Sequence, residues 1–273
     1  MLEEKYKKLQ KILCDMETAV VAFSGGVDST FLLKAALDTL GSENVLAVTA
    51  DSETYPLEEL EEAKKLAVLL GARHEVIETS ELSIPGYSEN TPNRCYFCKK
   101  NLFEHLIPMM EDHGYKNIVF GLIADDMGEH RPGIQAAKEF NVRGPLQEAD
   151  LYKSEIRELS HDFGLPTWDK PSFACLSSRI AYGEQITIEK LRKIDQSEKF
   201  IRNIGIRQVR VRTHDALARI EVEARDMYHL MAHRIDIERK LKSLGFSFVT
   251  IDLSGYRSGS MNQLLEKQHY AVK

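Results

Sequence analysis

The chain has 273 residues, 43% apolar and 29% charged, enough for one large domain or two modest ones with a buried core. No apolar run approaches the ~18 residues of a membrane-spanning helix, and the opening MLEEKYKKLQKILCDME reads as an amphipathic helix without the apolar centre of a signal peptide. Four cysteines do not make a disulfide scaffold, which points to the reducing cytoplasm, and a net charge of −6 argues against nucleic acid as the main partner. That charge is unevenly spread. Residues 190–257 hold 15 Lys/Arg against 9 Asp/Glu, or +6, leaving −12 for the remainder. The C-terminal part is the better home for an anionic ligand, unless its charges form a solvated face.

In chain order, AVVAF (19–23) is a short apolar run ending at SGG, as a buried strand would. STFLLKAALDTL (29–40) carries apolar residues at helical spacing up to a stop at Gly41. NVLAVTA (44–50) is a second strand, and PLEELEEAKKLAVLLGA (56–72) a second helix, with Pro56 at its start and Gly71 past its end. HEVIET (74–79), KKNLFEHLIPMMEDHG (99–114) and NIVFGLI (117–123) continue as strand, helix and strand. This alternation predicts an α/β fold, a parallel sheet covered on both faces with right-handed crossovers. YKSEIRELSHDFGLP (152–166) is a further helix, and TWDKPSFACLSSRIAYG (167–183) has no period and reads as a loop between domains. The pattern then changes. A helix at 187–204, alternating strands QVRVRTH (208–214) and LARIEVE (217–223), a helix at 225–244 and a final strand FSFVTIDL (246–253) predict a smaller α+β unit. The expected domains are residues 1–172 and 173–273. No internal repeat or low-complexity tract is present.

The first motif with chemical content is SGGVDS, Ser24 to Ser29, between the first strand and helix. Gly25 and Gly26 permit backbone angles a side chain would forbid, and the amides of Gly26, Val27 and Asp28 can converge on an anion at the helix N-terminus. Ser24 and Ser29 add hydroxyls. Asp28 would repel a bare phosphate, so its presence implies a divalent cation such as Mg²⁺. The bland alternative is a tight glycine turn that caps a helix. Neither G-x-x-x-x-G-K-[ST] nor G-x-G-x-x-G occurs. The segment resembles the pyrophosphate loop of the ATP pyrophosphatases, which include GMP synthetases, NAD synthetases and tRNA thiolation enzymes and cleave ATP between the α and β phosphates. GLIADDMGEHRPG (121–133) is similar to the GTNADD segment of that group. The resemblance implies Gly121 at the nucleotide and Asp125 and Asp126 near metal and ribose. Leu122 and Ile123 replace the polar pair found there, so no side-chain role carries over to them. It likewise implies Lys153 at the leaving phosphates and adenine contacts from the backbone near Ala22 and Ala50. By themselves these leave little mark, and Lys153 alone would read as a surface lysine.

CYFC, with Cys95 and Cys98, can be a redox dithiol, half of a zinc site or part of an iron–sulfur cluster. No thioredoxin-like first strand precedes it. A structural zinc site wants four protein ligands, for which His105 is the candidate fourth. Cys175 lies in PSFACLSSR (171–179), and Cys14 occupies an apolar position of the first helix and reads as core packing. From AFSGGVDST through RPG, LQEADLYKSEIREL and SSR to FVTIDLSGYRSGSMN, nearly the whole chain resembles the LarE family of sulfur transferases. SGG-x-D-S is shared across the superfamily, and the downstream segments are the specific ones. The resemblance implies that ATP adenylates a carboxylate of pyridinium-3,5-biscarboxylic acid mononucleotide. Sulfur then displaces AMP, and two rounds serve the nickel-pincer cofactor of lactate racemase. One branch of the family consumes a single cysteine as donor and lacks the C-x-x-C. This chain resembles the three-cysteine branch, in which Cys95, Cys98 and Cys175 would hold a [4Fe–4S] cluster with one iron open to external sulfur, from sulfide or a sulfur carrier. Family members form homo-oligomers.

Arg210 and Arg212, two apart on a strand, share a face while Val209 and Val211 point to the core. Two guanidiniums suit a phosphate, and a solvated strand face is the alternative. The resemblance implies that this pair holds the substrate phosphate, that Glu198 lies near the substrate and that Ser178 and Arg179 line the same cleft. Asp28, Lys153 and Cys175 would carry the catalysis. Three rival functions stay open: sacrificial donation from Cys175, another ATP pyrophosphatase such as a tRNA thiolase or amide-forming synthetase, and a non-catalytic ATP-binding iron–sulfur or zinc carrier.

Overall fold

A computed structural model describes residues 2–127, 132–257 and 259–262. Arg131 of the RPG segment and Ser258 of GYRSGSMN lie outside the described residues. Contacts divide the chain into two units, Met1–Glu81 with Cys95–Ser172 and Leu82–Arg94 with Phe173–Lys273.

The first unit runs α1 (Leu2–Cys14), β1 (Ala19–Ala22), α2 (Val27–Leu40), β2 (Val45–Asp51), α3 (Leu57–Leu69) and β3 (Arg73–Glu78). It continues with α4 (Arg94–Asp112), β4 (Asn117–Phe120), α5 (Pro132–Glu139), the short α6 (Pro145–Glu148) and α7 (Lys153–Asp162). Its four strands form a parallel sheet in the order β3-β2-β1-β4. Strand side chains alternate between faces, and both faces are buried here. Ala19, Val21, Val45 and Ala47 pack with Leu9, Leu13, Phe31, Ala63 and Leu66 of α1, α2 and α3. Val20, Leu46 and Val48 pack with Phe103 and Leu106 of α4 and Ala136 of α5. The expected α/β architecture is present. From β1 the chain steps to β2 and β3 on one side and returns to β4 on the other. The crevice outside the carboxyl ends of β1 and β4 is therefore a topological switch point, where open α/β sheets bind ligands.

The second unit contains α8 (Ile188–Asn203), β5 (Val209–His214), β6 (Leu217–Val222), α9 (Met227–Ala232), α10 (Arg234–Ser243) and β7 (Phe248–Ile251). Its sheet has the order β5-β6-β7, antiparallel across β5/β6 and parallel across β6/β7. Val209, Val211, Ile220 and Val222 face Ile201, Leu230, Ile237 and Leu241 in its core.

Several elements differ from the sequence expectation. The helix expected at 225–244 is interrupted at His233 (φ −101°, ψ 11°), where the helical path stops. Leu230, Ile237 and Leu241 keep one apolar face across the interruption, so the pattern hides it. Helix α4 starts at Arg94 rather than Lys99, and α5 and α6 have no counterpart in the sequence pattern. Residues 82–94 belong with the second unit through side-chain bonds that no local pattern encodes. Asn90, at φ 55°, donates to the carbonyls of Ile180 and Ala181 at 3.1 and 2.7 Å. Arg94 donates to Asn90 Oδ1 and to the Ser177 carbonyl at 2.5 and 2.9 Å. The core placement of Cys14 is corrected, because the residue is exposed. Leu9, Leu13 and Met16 form the buried stripe of that segment, and Cys14 stands one residue, about 100°, further round the helix. No helix among the described residues is long and apolar enough to cross a membrane.

The two neighbours at the end of α1 provide a test of this packing. Leu13→Ala should lower unfolding stability by ~2–5 kcal/mol, and Cys14→Ala by no more than ~0.5 kcal/mol, in urea titrations of the full chain.

Candidate active site

Beyond β1 the chain turns through Phe23–Gly26 into α2, whose 14 residues present first-turn amides, among them those of Val27 and Asp28, with no acceptor inside the helix. With the helix dipole behind them, these amides suit an anion. Gly25 is left-handed (φ 59°), and a Cβ there would stand 3.1 Å from both Cα and Cβ of Ala63 on α3. Gly26 does not share that need, which corrects the expectation for it. Its φ of −80° and ψ of 170° are open to any residue, and an added Cβ would meet only Ser24 Oγ, at 3.5 Å. Ser29 ties the loop to itself, with Oγ 3.1 Å from Ser24 Oγ, donating to the Gly26 carbonyl at 3.3 Å and accepting from the Ser24 amide at 3.3 Å. Ala22 and Ala50 lie near the carboxyl ends of β1 and β2.

Asp28 is the second residue of α2, and both its carboxylate oxygens accept from Lys153 Nζ at 2.7 Å. Lys153 opens α7, and its backbone amide donates to Asp125 Oδ2 at 2.7 Å. Asp28, Lys153 and Asp125 are thereby brought together, while Asp126 Oδ2 accepts from the Ile123 amide at 3.1 Å. Gly121 is the reason β4 can end so close to this point. A Cβ on it would sit 3.1–3.3 Å from the Ser29 nitrogen and from Cβ and the carbonyl carbon of Asp28. Leu122 and Ile123 are buried, and a Cβ on Gly144 would stand 2.9 Å from Leu122 Cβ. Core packing accounts for their departure from the polar pair of similar proteins. Hard carboxylate oxygens such as those of Asp28 and Asp125 are the donor type that Mg²⁺ takes. Among the described residues no three His, Cys, Asp or Glu side chains are grouped to hold a metal ion. Thr49, Tyr55 and Lys170 also touch the loop. None of them belonged to a motif, and Lys170 stands in a stretch without period.

Because α4 starts at Arg94, Cys95 and Cys98 fall in its opening turns, three residues apart on one face. Cys95 is exposed and Cys98 half-buried. Soft thiolates in that spacing suit iron or zinc. Cys175, also half-buried, precedes the 3₁₀ turn Leu176–Arg179 in the second unit. His105, the candidate fourth zinc ligand, has Nδ1 2.8 Å from the Asn101 carbonyl.

In the second unit the expected substrate residues form a buried charge network. Arg179 places Nε and Nη2 on the two oxygens of Glu198 at 2.9 and 3.1 Å. Its Nη1 donates to the carbonyls of Ala174 and Cys175 and to Ser178 Oγ. Glu198 Oε1 also accepts from the Val211 amide at 2.9 Å. Burial works to raise the Glu198 carboxyl, but Arg179, Arg210 and that amide together hold it below the usual range. Arg210 and Arg212 do share a face, yet both are buried, so the solvated-face alternative does not describe them. Arg212 binds Glu221 Oε2 through Nε and Nη2 at 3.1 and 2.9 Å, and the Ser178 carbonyl through Nη1 at 3.1 Å. Arg210 lies 5.4 Å from the ring centre of Tyr256. Burial first, and then Arg179, push its guanidinium down to about 10. Glu221 was missed. Its side chain projects to the arginine face because the β5/β6 register sets it opposite Arg210, a pairing that only strand alignment reveals.

The Arg179–Glu198 pair should show in stability. Glu198→Gln leaves Arg179 buried without its counter-charge and should cost ~3–5 kcal/mol at pH 7, read by urea titration. A depressed carboxyl stabilises above its unfolded value of about 4.3 and loses that contribution as pH falls below it. The gap between Glu198→Gln and the natural chain should therefore narrow progressively as pH falls below about 4.3.

Residues 3–105 match the NAD synthase family. The chain is 31% identical over 55% of its length to an NH(3)-dependent NAD(+) synthetase of Methanococcoides burtonii, covering 59% of that protein. It is 43% identical to an uncharacterized protein of Synechocystis, over 98% of this chain and all of that one. It is also 39% identical to the pyridinium-3,5-bisthiocarboxylic acid mononucleotide synthase of Lactiplantibacillus plantarum, over 99% of this chain and 98% of that one. A likeness that runs through both units, joined to the glycine loop with Asp28 and Lys153 at the sheet's switch point, makes this chain a member of the LarE family, which carries an ATP pyrophosphatase domain.

Proposed function

We propose that this enzyme adenylates a carboxylate of pyridinium-3,5-biscarboxylic acid mononucleotide with ATP and replaces AMP by sulfur, in two rounds, to give the bisthiocarboxylic acid mononucleotide. The observation that carries the reading is the convergence of the loop, the α2 N-terminus, Asp28 and Lys153, in a chain alike end to end to a synthase of that product. A substrate carboxylate oxygen attacks the α phosphorus, and the bond to the β-phosphate oxygen breaks with its electron pair leaving on pyrophosphate. Loop amides and Lys153 receive that charge, which is where electrostatic stabilisation is worth most. Sulfide then attacks the acyl carbon, and AMP leaves with the carbon–oxygen electron pair.

Asp28, Asp125 and Asp126 would hold Mg²⁺, which supplies charge neutralisation at the phosphates. For Asp28 to turn to the ion, Lys153 must release both carboxylate oxygens, which leaves its ammonium for the leaving group. In the second unit Arg210 and Arg212 would bind the substrate phosphate, with Ser178, Arg179 and Glu198 shaping the cleft beside Cys175. The backbone near Ala22, Ala50 and Gly121 would receive the adenosine end. Cys95, Cys98 and Cys175 would together hold a [4Fe–4S] cluster, whose three-thiolate ligation leaves one iron open to sulfur. The pair on one face of α4, Cys95 exposed and Cys98 half-buried, supports the soft-ligand part of that reading. The cysteine usage supports a cytoplasmic setting and the family resemblance a homo-oligomer, and sulfide or a sulfur carrier would serve as donor.

Two variants separate the two halves of the reaction. Asp28→Ala should lower pyrophosphate release at least ~100-fold and leave the iron content of anaerobically purified protein unchanged. Cys95→Ala should keep pyrophosphate release, lose the iron and stop repeated turnover. Colourless protein with one zinc per chain, or repeated turnover by Cys95→Ala, would remove the cluster from the scheme. Loss of the elements of H₂S from Cys175 after a single round, read by mass spectrometry, would establish sacrificial donation instead.

A further inference from the structure

Four successive carbonyls of the phosphate loop are each pinned by a donor. Phe23 O accepts from Thr49 Oγ1 at 2.8 Å, Ser24 O from the Tyr55 hydroxyl at 2.8 Å and Gly25 O from Lys170 Nζ at 3.1 Å. Gly26 O accepts from Ser29 Oγ and from the Thr30 amide. A trans peptide holds each N–H opposite the preceding carbonyl. Drawing the Ser24 and Gly25 carbonyls toward Tyr55 and Lys170 therefore turns the Gly25 and Gly26 amides the other way, away from those two side chains.

Neither donor belongs to the loop. Tyr55 stands just before α3, and Lys170 lies in the irregular segment after α7. Burial pushes the Tyr55 phenol well up, so it remains a donor at any physiological pH. Lys170 is 11% exposed and also binds Glu59 at 2.8 Å and Glu62 at 2.9 Å, which lie about one turn apart on α3. Without the ammonium these two carboxylates would place uncompensated negative charge beside a loop built to receive an anion.

We infer that Tyr55 and Lys170 are positioning residues for the triphosphate of ATP, aiming the loop amides from behind while Lys170 neutralises the acids of α3. The inference rests on the loop being the ATP site. Its test is calorimetric titration of the full chain with ATP and, separately, with adenosine, which lacks the phosphates. Tyr55→Phe deletes a single oxygen and should weaken ATP binding ~3- to 10-fold, and Lys170→Met ~10-fold or more. Both should leave adenosine affinity within about twofold, and Glu59→Gln added to Lys170→Met should restore part of the ATP affinity. Unchanged ATP binding in both variants, or equal losses for ATP and adenosine, overturns the inference. If Lys170→Met does not fold, Tyr55→Phe decides alone. A natural chain that binds ATP no better than adenosine defeats the ATP reading itself, a result distinct from failure of the two variants.

Discussion

The geometry of the first unit hangs on one close approach, Gly25 against Ala63. The loop reverses direction there with φ 59°, and α3 comes so near that a single added carbon would stand 3.1 Å from its backbone. Small residues on both sides let the helix back the loop, and Ala63 is fully buried in the contact. A bulkier residue at either position would push the turn outward and shift the first amides of α2. Gly121 imposes the matching condition on the other strand of the switch point, since its missing side chain lets the end of β4 lie against Asp28. Two tight contacts between backbone and neighbour thus set where an anion can meet the helix.

The second unit solves a different problem. Its segment 174–178 lies outside the sheet ladders, so its backbone carbonyls need other donors. Buried guanidiniums supply them: Arg179 takes the carbonyls of Ala174 and Cys175, and Arg212 takes that of Ser178. Each arginine is itself held by a buried carboxylate, Glu198 or Glu221. Ion pairs of this kind add little net stability, because desolvation offsets most of the attraction. What they provide here is a fixed shape for the stretch around Cys175, in a unit whose apolar core is small.

The same network bears on the substrate roles proposed for these arginines. A phosphate approaching Arg212 meets a guanidinium that already shares its hydrogens with Glu221, Ser260 and a backbone carbonyl. Burial and Arg179 disfavour the protonated form of Arg210, and a nearby negative charge would favour it. Within the pair, Arg212 is the one that holds the loop.

Local pattern by itself determined the alternating strands and helices of residues 19–123, because apolar period and glycine stops are written into consecutive residues. It also determined the place of the glycine loop, with Asp28 beside it, because the motif is contiguous. Beyond that reach, tertiary contacts decided. Gly26 turned out conformationally ordinary, and Cys14 exposed, because a helix face or a backbone angle depends on what packs against it. The grouping of 82–94 with the C-terminal unit rests on Asn90 and Arg94 bonds to partners over 80 residues away. Lys153 meeting Asp28 spans 125 positions, and Lys170 meeting Gly25 spans 145. Lys153 was legible only through the resemblance of its segment, and Lys170 carries no periodic or motif signal of its own, so only the folded chain shows that it faces the loop.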